Sequence, residues 1–330
     1  MPRATRPDTG YQPWHPEAGL TLAFLAAFGP RLTVATAIAA FLGVMIFSGG
    51  PVSMSASIVA ALWVGGAYGV LAHLILRTLP LRAMNTIAEA ARFAGLVGAA
   101  TLIAACGFVG AFVTSGNVEA GDALRGVARY WLADLNGVLM LTPLLMNAEA
   151  RKTAAQAWNK HRLELLMQIG VVGGVLWLIL ALPVEVQLRF LFLLFLPTIW
   201  IAVRWNWVGA LAGALMIQLV LIAAVEADIH TPRFIDLQFL TLTLSLTALL
   251  LGAAVAERRR SEAELRERDS ALARAMRFAV AGELASALAH ELNQPITALV
   301  SYLNASQILA ATPRRRVQPR PYADGSRRGS

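Results

Sequence analysis

Six consecutive residues, His290-Glu291-Leu292-Asn293-Gln294-Pro295, bring together a nucleophile, a carboxylate, two amides and an imino acid. A neutral imidazole nitrogen is a competent nucleophile near neutral pH, and histidine is the side chain best poised to supply one. Glu291, next in sequence, can hold the proton on the other ring nitrogen and raise the nucleophilicity of the first. Asn293 and Gln294 offer amide donors to a phosphoryl group or to an incoming protein. Pro295 lacks an N–H and crowds the preceding turn, so it bends a helix just beyond the reactive residue.

The element that must position this box is legible around it. Apolar residues recur at Leu272, Met276, Val280, Leu284, Leu288 and Leu292 and continue through Leu299 and Leu303. At about 100° per residue they form one slowly drifting stripe, the pattern of a helix in a four-helix bundle. His290 falls about 120° or more from Leu284 and Leu288 on that wheel and is expected to face outward. Upstream, Glu257 to Arg274 is dense in charges of both signs, with Leu265 and Leu272 seven residues apart. That pattern suits a solvated helix paired with another helix in a short parallel coiled coil.

Everything before Glu257 has a different composition. Of 330 residues 57% are hydrophobic and 15% charged, which excludes an ordinary soluble domain with its roughly 25% of charged residues. Apolar runs predict an all-α bundle with about eight membrane spans at 31–47, 57–76, 95–114, 131–146, 166–183, 188–203, 208–225 and 236–256. Three basic segments then share a side: Arg77, Arg82 and Arg92; Arg151, Lys152, Lys160 and Arg162; and Arg258, Arg259 and Arg260. By the positive-inside rule that side is the cytoplasm, with both termini on it. The net charge of +8 therefore reads as loop charge rather than nucleic-acid binding. The alternate loops carry Glu119 and Asp122, and Glu226, Asp228 and His230. The segment Gly19 to Gly29, closed by Pro30, is too short to span; a half-helix, the remnant of a hairpin and an interfacial helix all fit it.

Polar residues inside apolar spans are expensive and so mark candidate functions. Asp134 and Asn136 start one span and Arg204 ends another, which makes all three sensor candidates, with Asp134 placed near the interface. No pairing among them follows from sequence. His73 is expected to be buried against a neighbouring helix, and Cys106 to pack as a small residue among Ala104, Ala105 and Gly107. The pairs Gly65/Gly69, Gly170/Gly174 and Gly209/Gly213 predict close helix approach inside the bundle. A lone cysteine excludes an intrachain disulfide, and no His/Cys cluster has metal-ligand spacing.

The His290 box, with the helical run Ala281-Gly282-Glu283-Leu284-Ala285-Ser286-Ala287-Leu288-Ala289 before it, resembles the phosphoacceptor (HisKA-type) helix of sensor histidine kinases over about Arg277 to Leu309. The resemblance implies that His290 takes the γ-phosphoryl of ATP and passes it to a response-regulator aspartate, Glu291 assisting. Many bifunctional relatives place Asn or Thr where Gln294 stands, so a phosphatase role is not implied. Residues 14 to 256 resemble the MASE type of membrane sensor domain. The resemblance is carried by Trp14-His15-Pro16-Glu17-Ala18-Gly19-Leu20, by Tyr130-Trp131-Leu132-Ala133-Asp134-Leu135-Asn136-Gly137 running into Thr142-Pro143-Leu144, and by Leu196-Pro197-Thr198-Ile199-Trp200-Ile201-Ala202-Val203-Arg204.

These readings divide the chain into a polar segment (1–18), a membrane sensor (19–256), a linker helix (257–276), the first phosphoacceptor helix (277–311) and an Arg/Pro-rich tail (312–330) expected to be disordered and non-native. The resemblance implies a protein-histidine kinase of the bacterial inner membrane. Its partners would be the lipid bilayer, a second copy or a complete kinase as dimer partner, and a receiver domain, with no nucleic acid. No glycine-rich phosphate cradle is present, so the chain is expected to bind no cofactor itself and not to autophosphorylate alone; ATP and Mg would require another domain or a partner in trans. A frameshift, a premature stop or a deliberate truncation is the expected origin of the tail; the MASE-type resemblance usually extends to membrane sequence before the Trp-Pro stretch, which leaves a truncated N-terminus open. The rival readings are a non-enzymatic decoy subunit, a transporter-like bundle and, against the sequence after Ala256, a cyclic-dinucleotide enzyme.

Overall fold

The computed structural model describes residues 14–47, 52–79, 86–146, 148–224 and 232–311, and every regular element among them is helical. The loop residues Arg82, Glu226, Asp228 and His230, the N-terminal segment before Trp14 and the tail 312–330 lie outside the described residues. The chain divides into two units at Ser261, and each is described by itself.

The first unit is built from α1 (Pro16–Phe28), α2 (Thr33–Phe47), α3 (Met54–Thr78), α4 (Ile87–Thr114), α5 (Ala123–Met146), α6 (Ala148–Leu180), α7 (Val184–Phe190), α8 (Phe195–Ala224) and the start of α9 (Pro232–Ala311). Local signals set several boundaries. Pro16 occupies the first turn of α1, where its missing N–H costs nothing, and Gly29 at φ 100° ends that helix in a conformation that disfavours other residues. Ser53 caps α3 through its side chain. Thr86 and Glu89 form a reciprocal capping box on α4, each side chain accepting from the other's backbone N–H at 3.2 Å.

Four helical stretches are long and apolar enough to cross a bilayer, namely Met54–Thr78, Ile87–Thr114, Arg162–Leu180 and the apolar start of Ile235–Ala311. Pro16–Phe28, Pro30–Ile46, Leu191–Trp205 and Trp207–Ile222 are shorter apolar helices. Long enough at 24 residues but too polar to join the first group, α5 runs as a central helix, and half of its residues are buried. The segment from Ala148 is already helix, so the expected basic loop before residue 166 is instead the opening of α6; its Ala, Gln, Lys and Glu are strong helix formers.

Although helical throughout, α8 does not run straight. A Cβ built on Gly213 would lie 2.9 Å from Ile201 Cδ1, whereas twelve residues of straight helix would separate the two by about 18 Å. Ile201 also shares a buried cluster with Ile217 and Leu221. The chain therefore turns back between Ile201 and Gly213, the stretch in which the sequence places the break between two spans.

Around α5, α1 and α4 pack along its length and α3 joins α1 to complete the core. The short α1 packs one face into the bundle: Leu22 and Leu25 are fully buried and Ala18 and Ala26 nearly so, while Leu20, Phe24 and Phe28 stay exposed. Its approach to α5 is close enough that a Cβ on Gly19 would sit 2.3 Å from the Gly137 carbonyl oxygen, and one on Gly137 would sit 2.0 Å from that of His15. Gly65 and Gly69 admit Ala37 and Thr33 of the α2 region in the same way. The second expected pair differs, since Gly170 and Gly174 face open space, while Gly209 and Gly213 of the third meet Trp205 and Ile201. His73 and Cys106 also depart from expectation. Both face outward, because the inward positions of their helices are taken by Leu71, Ala72 and Ile75 and by Ala104 and Ala105.

One end of this unit gathers residues from four helices. Ile87 N–H donates to Glu257 Oε2 at 2.9 Å, and Arg259 Nη2 donates to the carbonyls of Val203 and Arg204 at 2.7 and 3.1 Å. Arg204 in turn pairs bidentately with Glu164, with Nη2 to Oε2 at 2.9 Å. The second unit, residues 262–311, continues α9 as an exposed helix that includes Pro295.

Candidate functional site

Two sets of residues carry chemistry, and they lie in different units. In the second unit, His290, Glu291, Asn293, Gln294 and Pro295 are all exposed on α9. With no N–H at Pro295, the Glu291 carbonyl lacks its helical donor, which opens the ladder immediately after the imidazole. Thr297 bonds back to the Asn293 carbonyl at 2.7 Å, spanning that opening from the next turn. Leu284, Leu288, Leu292 and Ile296 are each more than half exposed, so the apolar stripe lies bare along with the polar face.

In the first unit Asp134 lies at the centre. It is 2% exposed and stands in the middle of α5 rather than at an interfacial helix start, because that helix begins at Ala123, before the apolar run that starts at residue 131. Both carboxylate oxygens are engaged: His15 Nδ1 donates to Oδ1 at 2.7 Å and Tyr68 Oη to Oδ2 at 2.8 Å. His15 is fixed by its backbone N–H on the Ala133 carbonyl at 3.3 Å and by an edge-on contact with Tyr130, ring centroids 4.9 Å apart. Burial pushes the His15 imidazole down, but the hydrogen bond to Asp134 and its charge, with a contribution from Glu17, outweigh this and hold it above the ordinary histidine value. A buried carboxylate with both oxygens hydrogen-bonded, one of them to an imidazole, is a satisfied group, the condition under which charge is tolerated in a bundle core.

Asn136 is equally buried but faces another way. Its Nδ2 donates to Thr241 Oγ1 at 2.9 Å, and its Oδ1 accepts from Ser245 Oγ at 2.5 Å, both on α9. The third sensor candidate, Arg204, stands apart from both: it is exposed, held by Glu164, and lies over the Trp205 ring at 5.3 Å. The structure thus brings Asp134 and Asn136 into one core on different neighbours, and neither meets Arg204.

His15, Tyr68, Tyr130, Thr241 and Ser245 are functional neighbours that sequence reading did not single out. His15 had a signal, since it precedes a helix-initiating proline and lies within the Trp14–Leu20 stretch, which docks onto the Tyr130–Gly137 stretch. Thr241 and Ser245 are one helical turn apart in a leucine-rich run, a spacing that puts both hydroxyls on one face. Among the described residues no group of three or more His, Cys, Asp or Glu could hold a metal ion.

An all-helical apolar bundle with a buried polar core, continuing into a charged helix, defines an integral membrane protein of the sensor type. Residues 4–259 match the MASE1 family, and the chain belongs to it. Among curated proteins it is similar to the signal transduction histidine-protein kinase/phosphatase UhpB of Salmonella typhimurium, 34% identical over 163 residues, which cover 47% of this chain and 31% of that protein. It is also similar to the sensor protein FixL of Bradyrhizobium diazoefficiens, 46% identical over 55 residues, which cover 17% of this chain and 11% of that protein. The matched regions therefore span less than a third of the length of these relatives. No solved structure matches the chain. The protein is a membrane sensor domain related to histidine kinases.

Proposed function

We propose that the protein is the sensing and phosphoacceptor portion of a two-component histidine kinase in the bacterial inner membrane, with His290 the phosphorylated residue. The observation that carries this reading is the exposed His290-Glu291 pair, followed by a helix-opening proline, on the helix that leaves a MASE1 bundle. In the reaction a ring nitrogen of His290 attacks the γ-phosphorus of ATP as the bond to the ADP oxygen breaks, and the proton on the other ring nitrogen is held by Glu291. A receiver-domain aspartate then attacks the phosphorus and releases the imidazole. The sequence contains no phosphate-cradling glycine loop, so ATP and Mg are held by residues outside this sequence or by another chain.

The bare stripe through Leu284, Leu288 and Leu292 is the surface on which a second copy, or a complete kinase, pairs with this helix. The basic end of the bundle, where Arg204, Arg259 and the start of α4 converge, faces the cytoplasm, and both termini lie on that side. Signal reaches His290 through α9. Stimulus at the Asp134 core shifts α5, and the Asn136 grip on Thr241 and Ser245 passes the shift to the output helix.

Acid-labile labelling from ATP tests this reading, run on the membrane-embedded chain with and without a complete kinase partner. Labelling in trans that His290→Gln removes is the expected result. Labelling that persists in that variant would falsify the assignment of His290.

A further inference from the structure

The first unit forms a partly open cavity of about 510 Å³ among α1, α2, α3, α4 and α5. That volume is within the range of small-ligand sites, about 300–1,000 Å³. We propose that it binds a small organic cation, an alkyl- or arylammonium with an apolar body.

The lining sets the charge. Among the described residues, its ionisable groups apart from tyrosines are His15, Glu17 and Asp134, with no lysine or arginine. Two carboxylates against one imidazole leave an excess of negative charge, which repels an anion and attracts a cation. Asp134 already accepts from His15 and Tyr68, so the carboxylate left for a ligand is that of Glu17, exposed at the cavity wall.

The aromatic wall favours the same ligand class. Tyr130 stacks on Phe108 with centroids 4.3 Å apart, Phe112 tilts against Phe108 at 5.0 Å, and all three line the cavity. Ring faces attract cations, most strongly where water is excluded, and aromatic walls beside a carboxylate are a recognised setting for ammonium groups. The remaining lining is largely small and apolar, including Ala61, Val64 and Gly43, which leaves room for the ligand body. Pocket and output are also joined: Tyr130 and Asp134 lie on the same helix as Asn136, which holds α9. Binding itself is independent of the kinase reading; only its effect on His290 rests on that reading.

The test uses the full chain in lipid nanodiscs, with benzyltrimethylammonium as probe and two isosteres, neutral neopentylbenzene and anionic phenylacetate, titrated by calorimetry. The expected result is saturable binding of the cation, at least tenfold tighter than either isostere. Glu17→Gln should weaken it about tenfold, while Glu164→Gln, at an ion pair outside the cavity, should leave it unchanged. Gly43→Leu should weaken it as well, because Gly43 lines the cavity and a Cβ there meets nothing within 4 Å. Equal or tighter binding of an isostere, or an affinity unchanged in both Glu17→Gln and Gly43→Leu, overturns the site; heat indifferent to both substitutions means partition into lipid. A cation that binds as expected yet leaves His290 labelling unaltered overturns the coupling and not the site.

Discussion

Asp134 and Asn136, two positions apart on α5, hold opposite neighbours: Asp134 binds His15 beside α1 and Tyr68 of α3, and Asn136 binds Thr241 and Ser245 of α9. At about 100° per residue they lie some 160° apart around the helix axis. A rotation of α5 therefore strains both sets of contacts at once.

The Asn136 grip is expected to be modest in energy. Thr241 and Ser245 each keep a backbone acceptor, with Oγ1 to Leu237 O at 3.0 Å and Oγ to Thr241 O at 2.6 Å, so removing the amide leaves neither hydroxyl unpaired. In a double-mutant cycle of Asn136→Ala with Ser245→Ala, unfolding in mixed micelles should give a coupling of about 0.6 kcal/mol, and below 2 kcal/mol. If the grip transmits signal, Asn136→Ala should also flatten the response of His290 labelling to stimulus at unchanged protein level.

The Asp134 core should be far more sensitive. Removal of His15 or Tyr68 leaves a buried carboxylate short of a partner, and breaking such a pair costs about 3–5 kcal/mol. Tyr68→Phe keeps the ring and isolates the hydroxyl, so its loss should be the smaller, about 1–3 kcal/mol. Thermal unfolding of His15→Ala, Tyr68→Phe and Asp134→Ala checks the order.

The sign of the pH dependence follows from His15. Its folded value is raised, so the stability it contributes is fully present below the ordinary histidine value and is lost as pH climbs through the raised one. The groups facing it are Asp134, Glu17, Tyr130 and, through Asp134, Tyr68. The Tm should fall across that alkaline-going window, and Asp134→Asn should remove the slope. A slope of the opposite sign would mean that His15 is neutral in the folded protein.

Glycine substitutions should divide by helix. Gly19→Ala and Gly137→Ala each drive a Cβ against backbone, where nothing yields without moving α1 off α5, and overpacking of this kind costs about 1–3 kcal/mol or more. Gly170→Ala and Gly174→Ala enter open space and should be neutral or raise stability by up to about 1 kcal/mol. Melting temperatures of the four variants make the comparison.

Apolar run length located most of the bundle, including the reversal within α8, because Arg204 and Asn206 interrupt the apolar sequence in that stretch. It misplaced Asp134, since α5 begins among polar residues at Ala123, whose helical character hydropathy does not register. His73 and Cys106 were misread for a related reason: in an apolar helix inward and outward positions look alike, so periodicity cannot assign a face. The pairs His15–Asp134 and Asn136–Ser245 join residues more than a hundred positions apart. Only the packing of α1 and α9 on α5 brings them together, which no local pattern encodes.

The hydrogen bonds from Arg259 to the carbonyls of Val203 and Arg204 bear on how the protein is made. A chain reversal leaves carbonyls without helical donors, and here a side-chain donor arrives more than fifty residues later in translation. Until the last apolar helix has been synthesised, those exposed carbonyls rest on water alone. The basic residues after that helix close the bundle as well as orient it, so a nascent chain released before Arg259 would carry all its apolar helices and still lack its final latch.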